Sequence, residues 1–248
     1  MIDHVYYINL KKRKSRKLFM ESQLSKLGFP YSRFDAIKPI FGSMPKEYFA
    51  FYERNLFDKA RSLLGESSSG SKYKMGTLGC YLSHYKLLES LAGETDKNIL
   101  ILEDDCFLNN GKSLKELQHA LNNNLIPDDW DMVRSMWSST NELKKINFCH
   151  PVSFSFSDCQ SKNILYDINQ KYISSPQRNP VVHSLYGGTH FQLIKSNSIP
   201  KILSYLDSEC LLPIDALYTT TKLNVYHSLF NVKSTNMRSD IHGVSQQS

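Results

Sequence analysis

Paired cysteines are missing from this 248-residue chain. Its five (Cys80, Cys106, Cys149, Cys159 and Cys210) are odd in number and form no C-x-x-C pair. That excludes a disulfide scaffold or a zinc knuckle as the basis of the fold and points to a reducing compartment. Long apolar runs are missing too: no stretch approaches the roughly 20 apolar residues that a membrane-crossing helix needs. The apolar stretch Val5 to Leu10 is too short for a secretion signal, and the basic residues follow it rather than precede it. A soluble or peripheral protein of the cytoplasm is therefore expected. Neither sign of charge is in large excess, with 30 Lys and Arg against 24 Asp and Glu, a net charge of +6. Such a balance suits nucleotides, phosphorylated glycans or a membrane surface. It does not require nucleic acid, and no nucleic-acid-binding motif occurs. There is no internal repeat.

What is present is enough for a substantial core. Hydrophobic residues make up 41% of the chain, with 14 Tyr and 13 Phe among them, and the length suits one large domain or one domain with a large insertion. Basic residues gather in Lys11-Lys12-Arg13-Lys14 and Arg16-Lys17. A solvated helix start is the commonest origin of such a cluster; a lipid-contact or nuclear-import signal is the alternative.

Val5-Tyr6-Tyr7-Ile8-Asn9-Leu10 is β-branched and aromatic on both faces, as a central strand buried on both sides is. A helix is predicted from Ser15, with Ser15 as N-cap, Met20, Leu24 and Leu27 at helical spacing, and Gly28 and Pro30 as stops. Tyr31 to Ile37 reads as a second strand. Strand, helix and strand make a βαβ unit, which implies an α/β fold with a parallel sheet. Further helices are predicted over 46–64, 76–93, 113–121, 198–206 and 214–223. Strands are predicted over 98–102 and 131–137 and within 181–194. Gly65 to Ser71 is a flexible segment, a linker or a lid over substrate. Residues 138–180 form a polar excursion, and the tail from Asn224 reads as irregular apart from a short strand at Val225-Tyr226.

The richest feature is Ile99-Leu100-Ile101-Leu102-Glu103-Asp104-Asp105, an apolar run that ends in three carboxylates. Three like charges in one small volume disfavour their own ionisation and need a countercharge. A hard divalent cation is the natural partner for oxygen ligands of this kind. The carboxyl end of a strand is also where open α/β sheets bind ligands. The plain alternative is a solvated acidic turn. His84 falls within the apolar arc of the 76–93 helix, where a hydrogen-bonded core histidine is the commoner role. Arg134 lies in an apolar strand, where an unpaired charge is costly. Its partner is expected among Glu103, Asp104 and Asp105, or on a bound substrate.

Four segments then fit one pattern: Ile8-Asn9-Leu10 with Arg13 and Arg16; Gly76-x-x-Gly79-Cys80-x-x-Ser83-His84; Leu102-Glu103-Asp104-Asp105; and Pro213-x-Asp215. The combination resembles glycosyltransferase family 25, the bacterial lipooligosaccharide galactosyltransferases whose relatives include collagen galactosyltransferases. Arg134, Gly188-Thr189 and Ser239-x-Ile241 correspond as well.

The resemblance implies a GT-A-like domain over 1–248, with a nucleotide-sugar-binding half (1–137) and an acceptor-binding half with the carboxyl-terminal segment (138–248). It implies an inverting hexosyltransferase with a UDP-sugar donor, UDP-galactose above all, hence a β-galactosyltransferase. The acceptor would be a lipid-linked saccharide met at the cytoplasmic face of an anionic inner membrane. Glu103-Asp104-Asp105 would play the part of a D-x-D motif with Mn²⁺ or Mg²⁺. Asp105 is expected as a metal ligand, Glu103 or Asp104 on ribose or metal, and His242 as a further ligand. Asn9, Leu10, Arg13 and Arg16 are assigned to uridine or diphosphate. Ser83, His84, Arg134, Gly188 and Thr189 are assigned to the donor pocket. The base that takes the acceptor proton is expected to be Asp215, which opens a helix and has a cap as its plain reading, with Asp240 and His190 in reserve. Two other classes compete: a non-catalytic nucleotide- or glycan-binding protein with a degenerate transferase fold, and a metal-dependent phosphohydrolase.

Overall fold

Alternation along the third strand sets the architecture. Ile99 to Leu102 are all essentially inaccessible to solvent. Leu100 and Leu102 enter one apolar cluster and Ile99 and Ile101 another. A strand whose successive side chains point to opposite faces is therefore covered on both. The computed structural model describes residues 1–39, 71–126, 128–136, 189–208, 214–218, 223–231 and 233–234.

Within these, the strands are β1 (His4–Asn9), β2 (Tyr31–Asp35), β3 (Asn98–Glu103), β4 (Cys106–Phe107), β5 (Met132–Met136), β6 (Phe191–Lys195), β7 (Val225–Asn231) and β8 (Lys233–Ser234). The helices are α1 (Lys14–Leu24), α2 (Ser71–Ser90), α3 (Lys112–Asn122), α4 (Ile199–Ser208) and α5 (Ile214–Leu217). Six strands form one sheet in the order β2-β1-β3-β6-β5-β7, while β4 and β8 pair separately. β1 runs parallel to both β2 and β3, and β5 parallel to β7. β6 enters antiparallel between β3 and β5. The fold is thus α/β with a mostly parallel central sheet. Strands from before and after residue 138 share it.

One face of the sheet packs Val5, Tyr7, Leu100 and Leu102 against Met20 and Leu24 of α1 and Leu114 and Leu117 of α3. The other packs Ile99, Ile101 and Met132 against Leu78, Leu82 and Leu88 of α2 and Ile199 and Ile202 of α4. The predicted β1-α1-β2 unit is present, with its parallel pairing. Ser15 is not the cap of α1: that position is Arg13, and no side chain caps the helix. α2 begins five residues earlier than its periodicity suggested and ends at Ser90. The tail is more regular than expected, because β7 has seven residues and parallel pairing to β5. The described part of the predicted 214–223 helix is the single turn α5. The 46–64 helix, the 138–180 excursion and all of the 65–71 segment but Ser71 lie outside the described residues, as do Gly188, Asp240 and His242.

Gly79 shows why α2 carries glycine in the middle of a buried face. A Cβ there would lie 2.9 Å from both the Ile37 carbonyl oxygen and Pro39 Cδ. Only a hydrogen at this position lets the chain leaving β2 lie against the helix. Ser83, one turn on, locks the same contact: its hydroxyl accepts from the Ile37 amide at 2.8 Å and donates to the Gly79 carbonyl at 2.5 Å.

Candidate active site

The carboxyl ends of β1 and β3 lie side by side, with Ile8 opposite Glu103. Because β6 runs the other way, its first residues arrive where β3 ends, and the Glu103 amide donates to the His190 carbonyl at 3.1 Å. Topology alone therefore brings Thr189 and His190 to the acids.

The three carboxylates divide between the two faces of the sheet. Glu103 continues the side of Ile99 and Ile101, towards α2. Its Oε1 lies 3.2 Å from His84 Nε2 and 3.6 Å from Cys80 Sγ, and accepts from the Thr189 hydroxyl. Burial alone would push this carboxyl's pKa up; the His84 hydrogen bond, the neighbouring His190 and the Thr189 hydroxyl outweigh it and hold it well below the usual glutamate range.

Asp104 turns to the α1 side. Its two oxygens are taken by Asn9 Nδ2 at 2.7 Å and Arg16 Nη1 at 2.6 Å. Asn9 also donates to the Arg13 carbonyl at 3.3 Å, which ties the end of β1 to the start of α1. Arg16 is 7% exposed, so it does not lie on an open helix face.

Asp105 is the least neutralised. Arg16 lies 3.5 Å from its Oδ2 and His190 Nε2 lies 3.5 Å from its Oδ1. The buried Oδ1 accepts no hydrogen bond. Burial, aided by the charges of Glu103 and Asp104, raises its pKa against the opposing pull of His190 and Arg16. Among the described residues, the ion pairs to these three acids come from Arg16, His84 and His190. The ligand atoms of Glu103, Asp105 and His190 all lie within 4.8 Å of one another, a mixed oxygen and nitrogen set that fits Mn²⁺ better than Mg²⁺, whose ligands are oxygens. His190, expected from sequence as a reserve base, thus stands beside the acids.

A cavity of about 420 Å³ opens over this edge. Leu10, Arg13, Arg16, Ser83, His84, Glu103, Asp104 and Asp105 line it, with Ile37 and Pro39 on an apolar wall. Most of the expected binding residues therefore meet in one place. Arg134 and Asp215 form a neighbouring group on the α2 side. Arg134 Nη1 donates to the Asp215 carbonyl at 3.3 Å and its guanidinium lies 5.7 Å from the centre of the Tyr218 ring. α5, whose second residue is Asp215, packs against α2.

Two residues here were not singled out from sequence. Cys80 touches both Glu103 and Thr189; its spacing of four from His84 on a helix was the available signal. Gln192 is fully buried in β6 with neither amide atom hydrogen-bonded, and nothing in its sequence context marks it.

A cavity lined by both acidic and basic side chains thus lies at the carboxyl edge of an α/β sheet, where folds of this class bind ligands. The chain belongs to glycosyltransferase family 25: the family profile, described as "Glycosyltransferase family 25 (LPS biosynthesis protein)", matches residues 2–218. A protein of Anopheles gambiae named "Glycosyltransferase 25 family member" is 30% identical over 107 residues, covering 42% of this chain and 17% of that protein. One of Drosophila melanogaster with the same name is 33% identical over 106 residues, covering 42% of this chain and 16% of that protein. The chain matches about a sixth of the length of these relatives.

Proposed function

We propose that this protein is a metal-dependent inverting glycosyltransferase with a GT-A-like fold over its whole length, residues 1–137 together with Thr189 and His190 serving the nucleotide sugar and the rest of 138–248 the acceptor. Its donor is a UDP-hexose, with UDP-galactose favoured. Its acceptor is an oligosaccharide of the lipooligosaccharide kind, lipid-linked and met at the cytoplasmic face of the inner membrane, with the exposed Lys11 and Lys14 towards anionic headgroups. The observation that carries this reading is Asp105 Oδ1: a buried carboxylate oxygen without a hydrogen bond, beside Glu103 and His190, on a residue that lines a cavity with Arg13 and Arg16.

Glu103, Asp105 and His190 would hold Mn²⁺ or Mg²⁺, and in this role His190 stands where His242 was expected. Such an ion neutralises charge on the leaving diphosphate. The chain's own residues do the rest. Arg13 offers positive charge to the diphosphate at the cavity rim. Asn9 and Arg16 hold Asp104 rigid, so that it presents a fixed edge to the ribose. His84 and Thr189 orient Glu103, and Ser83 keeps the wall at Ile37 in place.

In the transfer step the acceptor hydroxyl oxygen bonds to the anomeric carbon from the face opposite the diphosphate. The bond from that carbon to the diphosphate oxygen breaks, and its electron pair leaves with UDP. The hydroxyl proton passes to the Asp215 carboxylate, which Arg134 positions through the backbone carbonyl of the same residue. Gly188 stays with the donor pocket, and Asp240 is the reserve for the base.

A donor screen tests the reading. UDP-galactose, UDP-glucose and UDP-N-acetylhexosamines are offered with a truncated lipooligosaccharide acceptor, with and without Mn²⁺, and product linkage is read by NMR. A β-linked hexose formed only with the ion is expected. Hydrolysis of simple phosphoesters without sugar transfer would overturn the proposal.

A further inference from the structure

Cys80 and His84 lie one turn apart on α2, so their side chains share a face of that helix. That face looks onto Glu103. Cys80 Sγ lies 3.6 Å and His84 Nε2 3.2 Å from the same carboxylate oxygen, and all three ligand atoms fall within 4.8 Å of one another. A tetrahedral zinc ion with ordinary bond lengths holds a sulfur and an oxygen ligand about 3.5 Å apart, and a nitrogen and an oxygen ligand about 3.3 Å apart. The three side chains already stand at those separations. All three also line the cavity, which gives an ion a way in.

The donor set differs in kind from the neighbouring one. Glu103, Asp105 and His190 offer two oxygens and a nitrogen, which suit a hard ion. Cys80, His84 and Glu103 offer sulfur, nitrogen and one oxygen, which select Zn²⁺ or another thiophilic ion. We propose that Cys80, His84 and Glu103 form a second, thiophilic cation site that captures Glu103 from the hard-cation site. An ion bound there takes the carboxylate that the other set needs, so the two ions antagonise each other. Zinc is then an inhibitor of this protein rather than a substitute for manganese. The proton lost from the Cys80 thiol leaves to solvent as the sulfur–metal bond forms.

Binding at this site does not depend on the transferase reading; the inhibition rests on it. Co²⁺ serves as the spectroscopic probe, because a thiolate ligand gives it an intense near-ultraviolet charge-transfer band that oxygen and nitrogen ligands do not. The full chain is titrated with Co²⁺, and Zn²⁺ affinity is measured by competition. Wild type is compared with Cys80→Ser and Asp105→Asn, each checked for a native melting transition. Wild type is expected to show the band. Cys80→Ser is expected to lose it and to bind Zn²⁺ at least about tenfold more weakly, while Asp105→Asn keeps both. No band in folded wild type, or a band that survives in Cys80→Ser, overturns the site. Loss of Zn²⁺ binding in Asp105→Asn but not in Cys80→Ser overturns it too, since the ion then sits with the other ligands. A Co²⁺ band without any sugar transfer leaves this site standing and removes the transferase reading instead. Where transfer is observed, Zn²⁺ is expected to suppress it in competition with Mn²⁺; suppression unaffected by added Mn²⁺ overturns the antagonism.

Discussion

Arg16 Nη1 lies 2.6 Å from Asp104 Oδ1, and both residues are buried. This ion pair joins the first turn of α1 to the acids that end β3, residues 88 positions apart. It helps explain how a chain tolerates three adjacent carboxylates at one edge: Asn9 and Arg16 satisfy Asp104, His84 and Thr189 satisfy Glu103, and Asp105 Oδ1 is left without a hydrogen bond.

Breaking that pair on one side leaves a buried charge alone, which typically costs 3–5 kcal/mol. Arg16→Met should therefore lower unfolding stability by about 3 kcal/mol or more in urea, and the double variant Arg16→Met with Asp104→Asn should recover part of the loss. A single-variant loss below about 1 kcal/mol would show that solvent screens the pair.

Gly79→Ala places a methyl carbon 2.9 Å from the Ile37 carbonyl oxygen and from Pro39 Cδ. Overpacking of this order costs about 1–3 kcal/mol. Because Ile37 and Pro39 wall the cavity, UDP affinity should fall along with the melting temperature. Unchanged values of both would mean that the chain after β2 moves aside freely.

Glu103 offers a pH test. Its folded-state pKa is depressed, so its contribution to stability is complete above the ordinary glutamate value of 4.5 and is lost as pH falls below it. Between about pH 5 and pH 3 the melting temperature of wild type should drop more steeply than that of Glu103→Gln. Parallel curves would mean that His84 and Thr189 do not favour the ionised form.

Asp215 is tested by separating binding from turnover. Asp215→Asn keeps the backbone carbonyl that accepts from Arg134, so UDP affinity should change less than about twofold. Transfer should slow by about 100-fold or more, the usual worth of a general base. Transfer at the wild-type rate would clear Asp215 of the role.

Much of this was legible in the sequence because local patterns carried it. The run Ile99 to Leu102, buried on both faces, and the β1-α1-β2 unit follow from periodicity and helix stops. The clustering of Asn9, Arg13, Arg16 and the acids follows from all of them lying at carboxyl ends of parallel strands. The insertion of β6 between β3 and β5 was not legible, since periodicity says which residues face a sheet and nothing about which strand is the neighbour. Yet that antiparallel strand is what delivers Thr189 and His190. Ser15 had the residue type of a cap, but the chain was already helical at Lys14. The length of β7 was hidden because Tyr226 to Asn231 mixes polar and apolar residues without clean alternation. Cys80 is one letter of a sequence motif, whereas its contact with Glu103 joins residues 23 positions apart.

The proposed transfer requires a cation that Glu103, Asp105 and His190 would hold and that offsets charge on the donor diphosphate. Its most direct test is the affinity for UDP by calorimetry, with and without Mn²⁺, in wild type and in Asp105→Ala. Mn²⁺ should tighten UDP binding by at least about tenfold in wild type, worth about 1.4 kcal/mol, and leave Asp105→Ala unchanged. Equal tightening in both proteins, or none in wild type, would contradict it.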